Sequence, residues 1–165
     1  MKGLHYSALV LVVATIGLVQ GQSARAQKIE HVSDRERLIG AWYLEHINLP
    51  RPDGQPGDLP QPKGMLIYTR DGHMSVQLMY PNSANSLSNE YVRNGYEGSF
   101  GSYTIDEKAR TLTHHVLGSV TGDLLVGKDL PRVYTFIDDD HLVIRSANPD
   151  ERWSVTWKHY RAQTP

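Results

Sequence analysis

Apolar and polar side chains alternate with a period of two through most of the chain after residue 39, the spacing of half-buried strands rather than helices. In the run 40–47, Trp42, Leu44 and His46 fall on one side and Tyr43, Glu45 and Ile47 on the other. Similar runs occupy 64–69, 73–80, 100–106, 111–117, 132–137, 141–146 and 152–160, which makes eight predicted strands. Asp71-Gly72 joins the second and third, because Asp-Gly supplies the positive-φ positions of a tight hairpin. The short polar links 107–110 and 138–140 suit antiparallel neighbours. Five prolines between Leu49 and Pro62 forbid both helix and central strand and predict a long irregular loop. A loop follows at 81–87. One short helix is expected at 88–95, with Ser88 as its N-cap and Gly95 as its stop. Asp34-Arg35-Glu36-Arg37 could make a helical turn, but reads more simply as a solvated lead-in. The fold class is therefore all-β: an eight-stranded antiparallel up-and-down barrel with one short helix and a long Pro-rich loop. Closure removes the exposed edges, and eight strands enclose room for packed side chains or one small ligand.

The first residues break this pattern. Lys2, an apolar run over 8–19 and Ala24-Arg25-Ala26 form the three parts of an export leader cleaved after Ala26, and the run is too short to span a bilayer. The expected organisation is a signal peptide at 1–26, a polar lead-in at 27–37 and a barrel domain at 38–161. The expected location is the periplasm or the extracellular medium. Loss of Lys2 and Arg25 with the leader would take the formal net charge from −1 to −3. A mildly acidic chain without a basic cluster implies no nucleic-acid partner and, after leader removal, no membrane partner. With no cysteine, stability has to come from burial and backbone pairing.

Gly40-Ala41-Trp42 on the first strand resembles the Gly-x-Trp signature of lipocalins, in which the Trp closes the barrel floor beneath a basic side chain; Lys158 and Arg161 are the two candidates for that cover. Lys63-Gly64-Met65-Leu66-Ile67-Tyr68-Thr69, Asp71-Gly72-His73-Met74-Ser75-Val76-Gln77-Leu78, Gly101-Ser102-Tyr103 and Thr113-His114-His115-Val116 are similar to the lipocalin-like domain family of bacteria and fungi, over about residues 38–157. The resemblance implies a lipocalin-like barrel with a cavity and leaves its contents open.

Adjacent residues on a strand face opposite sides, so His114 and His115 cannot chelate one ion together, and no metal site is expected. Leu112 and Val116 share a face with His114, which places His114 inward as a hydrogen-bonded core residue or, less simply, as a catalytic one. Amphipathic alternation sends Val76 and Leu78 into the core and Ser75 and Gln77 into water. The family likeness, centred on these residues, instead favours Ser75 and Gln77 in the lumen as polar groups that orient a guest. An inward Arg132 would need a carboxylate, a ring face or a bound anion, and an exposed one at the strand start needs nothing. Tyr68, Tyr103 and Tyr134 offer apolar rings with polar tips. Asp138-Asp139-Asp140 lacks the spaced ligands of a calcium loop.

The candidate ligand-binding set is thus Tyr68, Ser75, Gln77, Tyr103, His114, Arg132 and Tyr134, with no cofactor. The expected partner is a small hydrophobic or amphipathic molecule; oligomeric state is open. Two alternatives stand beside carriage of such a molecule. One is an isomerase- or cyclase-type enzyme in which His114 transfers a proton and Tyr103, Gln77 or Arg132 stabilises charge. A strongly perturbed His114 hydrogen-bonded to a polar neighbour would favour it. The other is a filled barrel that serves as a structural or partner-binding module.

Overall fold

The computed structural model describes residues 32–49, 61–81 and 90–161. The leader and its cleavage site, residues 50–60 of the Pro-rich loop and residues 88–89 of the expected helix lie outside the described residues.

Eight strands form one closed antiparallel barrel in sequence order: β1 (Gly40–Asn48), β2 (Lys63–Tyr68), β3 (His73–Met79), β4 (Tyr96–Asp106), β5 (Thr111–Ser119), β6 (Asp129–Phe136), β7 (His141–Ser146) and β8 (Ser154–His159). β1 pairs with both β2 and β8, so the sheet has no free edge. The β2–β3 hairpin turns at Gly72, φ 89°, and Thr69 N–H donates to the His73 carbonyl at 2.9 Å.

The helix is not where the pattern placed it. Residues 90–95 form turns and a single bridge, Arg93 to Tyr96, with Asn94 at φ 52° and Gly95 at φ 77°. The chain is already bridged to Tyr96 at Arg93, so no helical turn forms over residues 90–95. The helical turn is α1, Asp34–Leu38, in the stretch that reads as solvated lead-in. The Ser33 hydroxyl accepts from Glu36 N–H at 3.2 Å, and the apolar Leu38, fully buried, anchors the turn against the barrel.

That turn closes one end of the barrel. Trp42 is fully buried there, and its indole N–H donates to the Leu38 carbonyl at 2.9 Å. Gly40 has φ 134°, and the His159 ring packs where its Cβ would be; the same ring meets Trp42 edge-on at 4.5 Å. His159 therefore takes the covering place expected of Lys158 or Arg161. Lys158 pairs in register with outward Tyr43, and Arg161 bridges Asp140 at 2.6 Å. Arg37 lies 3.9 Å over the Phe136 ring at this end.

Most inward positions are apolar: Leu66 and Tyr68 on β2, Met74, Val76 and Leu78 on β3, Leu112 and Val116 on β5, Leu142 and Ile144 on β7, Val155 and Trp157 on β8. Burial follows the period-two pattern, and it settles the register of β3.

Candidate functional site

Away from α1, the core does not fill the barrel. A cavity of about 150 Å³ lies toward the end where β1, β3, β5 and β7 finish. A void of this size accommodates a benzene-sized guest. Its walls are mostly aliphatic and aromatic, and Arg132, Glu97, His114, Ser99, Tyr80 and Tyr91 add polar groups. A wider groove of about 1040 Å³ runs along the outside of β2–β4, open to solvent, with Gln77 on its surface. Glu97 borders both spaces and so stands at the rim between them.

His114 and Arg132, two of the seven expected residues, line the cavity. His114 is buried on β5, and its Nε2 lies 2.6 Å from the Tyr68 hydroxyl. Burial, reinforced by the positive charge of Arg132, pushes the imidazole pKa down to about 3, so it is neutral at ordinary pH. Burial raises the Tyr68 phenol, and its proton stays in place. The perturbation expected of a catalytic His114 is present, with its polar neighbour, but its direction removes basicity. The pair is a neutral hydrogen bond, with His114 in the cavity wall and Tyr68 behind it.

Tyr103 and Tyr134 do not reach the cavity. Tyr103 packs on Tyr68 at 4.8 Å and donates to the Thr69 carbonyl at 3.0 Å. Tyr134 donates to Asp34 of α1 at 3.0 Å, inside the closed end. Ser75 and Gln77 are corrections: both sit on the outer face of β3, hydrogen-bonded to each other at 2.9 Å, because Met74, Val76 and Leu78 take the inward positions. Plain amphipathic alternation gives the right register, and the analogy misplaces it.

Arg132 is inward, not exposed at the strand start: it is 6% exposed and stands opposite Leu112 and Ser146 in register. Its guanidinium carbon lies 4.9 Å from the Trp153 ring centre and 5.6 Å from that of Tyr91. Both rings are fixed by one carboxylate. Trp153 Nε1–H donates to Glu151 Oε2 at 3.0 Å and the Tyr91 hydroxyl donates to the same oxygen at 3.3 Å. Burial alone would raise the Glu151 pKa, but hydrogen bonds from Trp153, Ser146, Asn148 and Tyr91 together outweigh it and hold the carboxyl below its ordinary range.

Glu97, Tyr91, Trp153 and Glu151 escape the sequence reading. Glu97 is inward on β4, opposite Leu78, in a part of the strand that the pattern begins only at Phe100. Burial raises its pKa to about 7, with Arg132 opposing part of the rise. Among the described residues no three His, Cys, Asp or Glu side chains are grouped to hold a metal ion, and no helix is long and apolar enough to cross a membrane.

A family model described as a lipocalin-like domain matches residues 39–160. No curated protein matches the chain. Among solved structures, a redesigned β-barrel aligns at 12% identity over 77% of this chain and 95% of its own, with a TM-score of 0.43.

Proposed function

The chain belongs to the lipocalin-like domain family, whose barrel is of the ligand-binding kind, and from that premise we propose that it binds a small, partly apolar molecule in its lumen after export from the cell. The observation that carries this reading is the cavity of about 150 Å³, with a mostly apolar wall that carries a few polar side chains. Such a site orients a guest through few directed contacts and holds it by burial. Export rests on the leader-like residues 1–26 alone.

Native mass spectrometry of protein purified from its own host is expected to show a co-purifying molecule of a few hundred daltons or less. Val76→Trp, which fills the lumen from β3, is expected to remove it while the β-sheet circular dichroism spectrum is retained. A guest retained by the folded variant would place binding elsewhere. Recovery of a chain beginning at Gln27 outside the cytoplasm tests export.

Glu97 supports a second reading. A carboxyl with a pKa near neutrality at the rim of an apolar cavity can both give and take a proton, which His114 cannot at that pH. In the enzyme alternative, Glu97 replaces His114 as the proton-transfer group, and Glu97→Gln would abolish turnover and spare guest binding.

A further inference from the structure

We propose that the guest is an anion, a single-ring organic acid whose carboxylate sits on the Arg132 guanidinium and whose ring lies against Ile144, Val155 and Trp157. This rests on the lumen reading and goes beyond it, since an apolar cavity alone specifies no charge.

The partners of Arg132 are the Pro131 carbonyl, to which Nη1–H donates at 3.2 Å, the Tyr91 hydroxyl, to which the guanidinium also donates, and the rings of Trp153 and Tyr91. All of these are neutral. Among the described residues no carboxylate oxygen lies within 4.0 Å of its guanidinium, whereas Arg37 has two such partners and Arg70 and Arg161 one each. An almost fully buried cation without an ion-pair partner is costly, and ring faces offset that cost only in part. The missing partner is an anion that enters the cavity.

The contacts also fix how that anion would sit. Rings cover the guanidinium, and its N–H donors radiate in its own plane, where a carboxylate docks through two parallel hydrogen bonds. Glu151, by holding both rings through one oxygen, keeps the guanidinium from swinging out to solvent. A space of about 150 Å³ leaves room for one ring beside the carboxylate. Glu97 completes the chemistry. Its raised pKa lets it stand protonated beside an anion, where an ordinary carboxylate would repel it.

The test titrates the purified protein with benzoate, phenylacetate and cyclohexanecarboxylate, and with the primary amide of each, at pH 6 by isothermal calorimetry. Acid and amide have nearly the same shape, so the ratio isolates charge. At least about tenfold tighter binding of the acids is expected, as a charge-assisted pair in a dry site requires. In Arg132→Met the acids are expected to fall to the level of the amides, with amide binding kept. Amides that bind wild-type protein as tightly as acids would overturn the anion proposal and leave the lumen reading intact. An acid preference that survives in Arg132→Met would overturn the assignment to Arg132. If neither acids nor amides bind, the lumen reading falls as well. Should Arg132→Met not fold, the wild-type ratio decides the charge of the guest, and Arg132→Gln, which removes the charge and keeps a hydrogen-bonding side chain, decides the assignment to Arg132 by the same loss of acid preference.

Discussion

The two ends of the barrel use the same residue types to opposite ends. At the end closed by α1, each polar group meets a partner from the chain: Trp42 the Leu38 carbonyl, Tyr134 Asp34, Tyr103 the Thr69 carbonyl. At the other end a cation and a carboxyl face a cavity, and among the described residues no carboxylate oxygen lies within ion-pair distance of the cation. An aromatic or charged residue inside a barrel is therefore not a sign of function in itself. What distinguishes the ends is the cavity and, beside it, a buried charge that has hydrogen bonds and ring contacts but no ion pair. The first end supplies stability, and the second holds a cavity and a buried cation without an ion pair, which is what the proposed guest would use.

The strongest way to break this contrast is Trp42→Ala. Deleting a fully buried indole that also caps α1 is expected to cost about 3–5 kcal/mol, read as a lower urea midpoint. Guest affinity of the remaining folded fraction should be unchanged. A matching loss of affinity would show that the ends are not separable.

The next effect is a pH dependence with two opposed branches. Glu97 has a folded pKa of about 7, above its ordinary 4.5, so the folded state binds the extra proton and stability falls as pH rises through that window. His114 has a folded pKa of about 3, below its ordinary 6.5, so the unfolded state binds the extra proton and stability rises over pH 3–6.5. Each branch amounts to a few kcal/mol at most. Between pH 4.5 and 6.5 they largely cancel in the wild type. Glu97→Gln should expose the rising His114 branch in urea titrations taken at successive pH values. A variant as flat as the wild type would mean that neither group is held as described. Acid guests should also bind more tightly below pH 7, with uptake of a proton, because protonated Glu97 no longer opposes the anion.

Arg132→Met sharpens the contrast from the other side. Removing a buried cation without an ion pair ends its desolvation cost but also loses the ring contacts, so stability without guest is expected to stay within about 1 kcal/mol or rise. A loss like that of Trp42→Ala would mean that Arg132 is structural.

How far the sequence reveals this division depends on distance along the chain. Strand alternation, the Asp71-Gly72 turn and Gly40-Ala41-Trp42 are local signals, and the eight-stranded barrel is legible from them. β3 reads correctly from its own pattern, and Ser75 and Gln77 go astray only where analogy displaces that pattern. α1 is missed because its one apolar residue, Leu38, gains its weight from contacts made across the barrel end. The site itself is the least local part. Arg132 and His114 are visible as inward polar residues, but Glu151, Trp153 and Tyr91 come together only through loops that strand periodicity does not describe. No spacing in the sequence joins residue 91 to residue 151.

That loop cluster gives the smallest expected effect and the finest test of the open end. Glu151→Gln keeps one carbonyl acceptor but replaces the other oxygen with a donor, so the bonds from Trp153, Tyr91 and Asn148 cannot all persist. The expected cost is about 1 kcal/mol or less in stability, with a red shift of tryptophan emission as Trp153 loosens. If the clamp positions Arg132, acid affinity falls several-fold and amide affinity hardly at all, because the charge is disturbed and the cavity is not. Equal losses for acids and amides would assign Glu151 to the shape of the lumen instead. No loss for either would mean that the rings hold the guanidinium without their shared carboxylate.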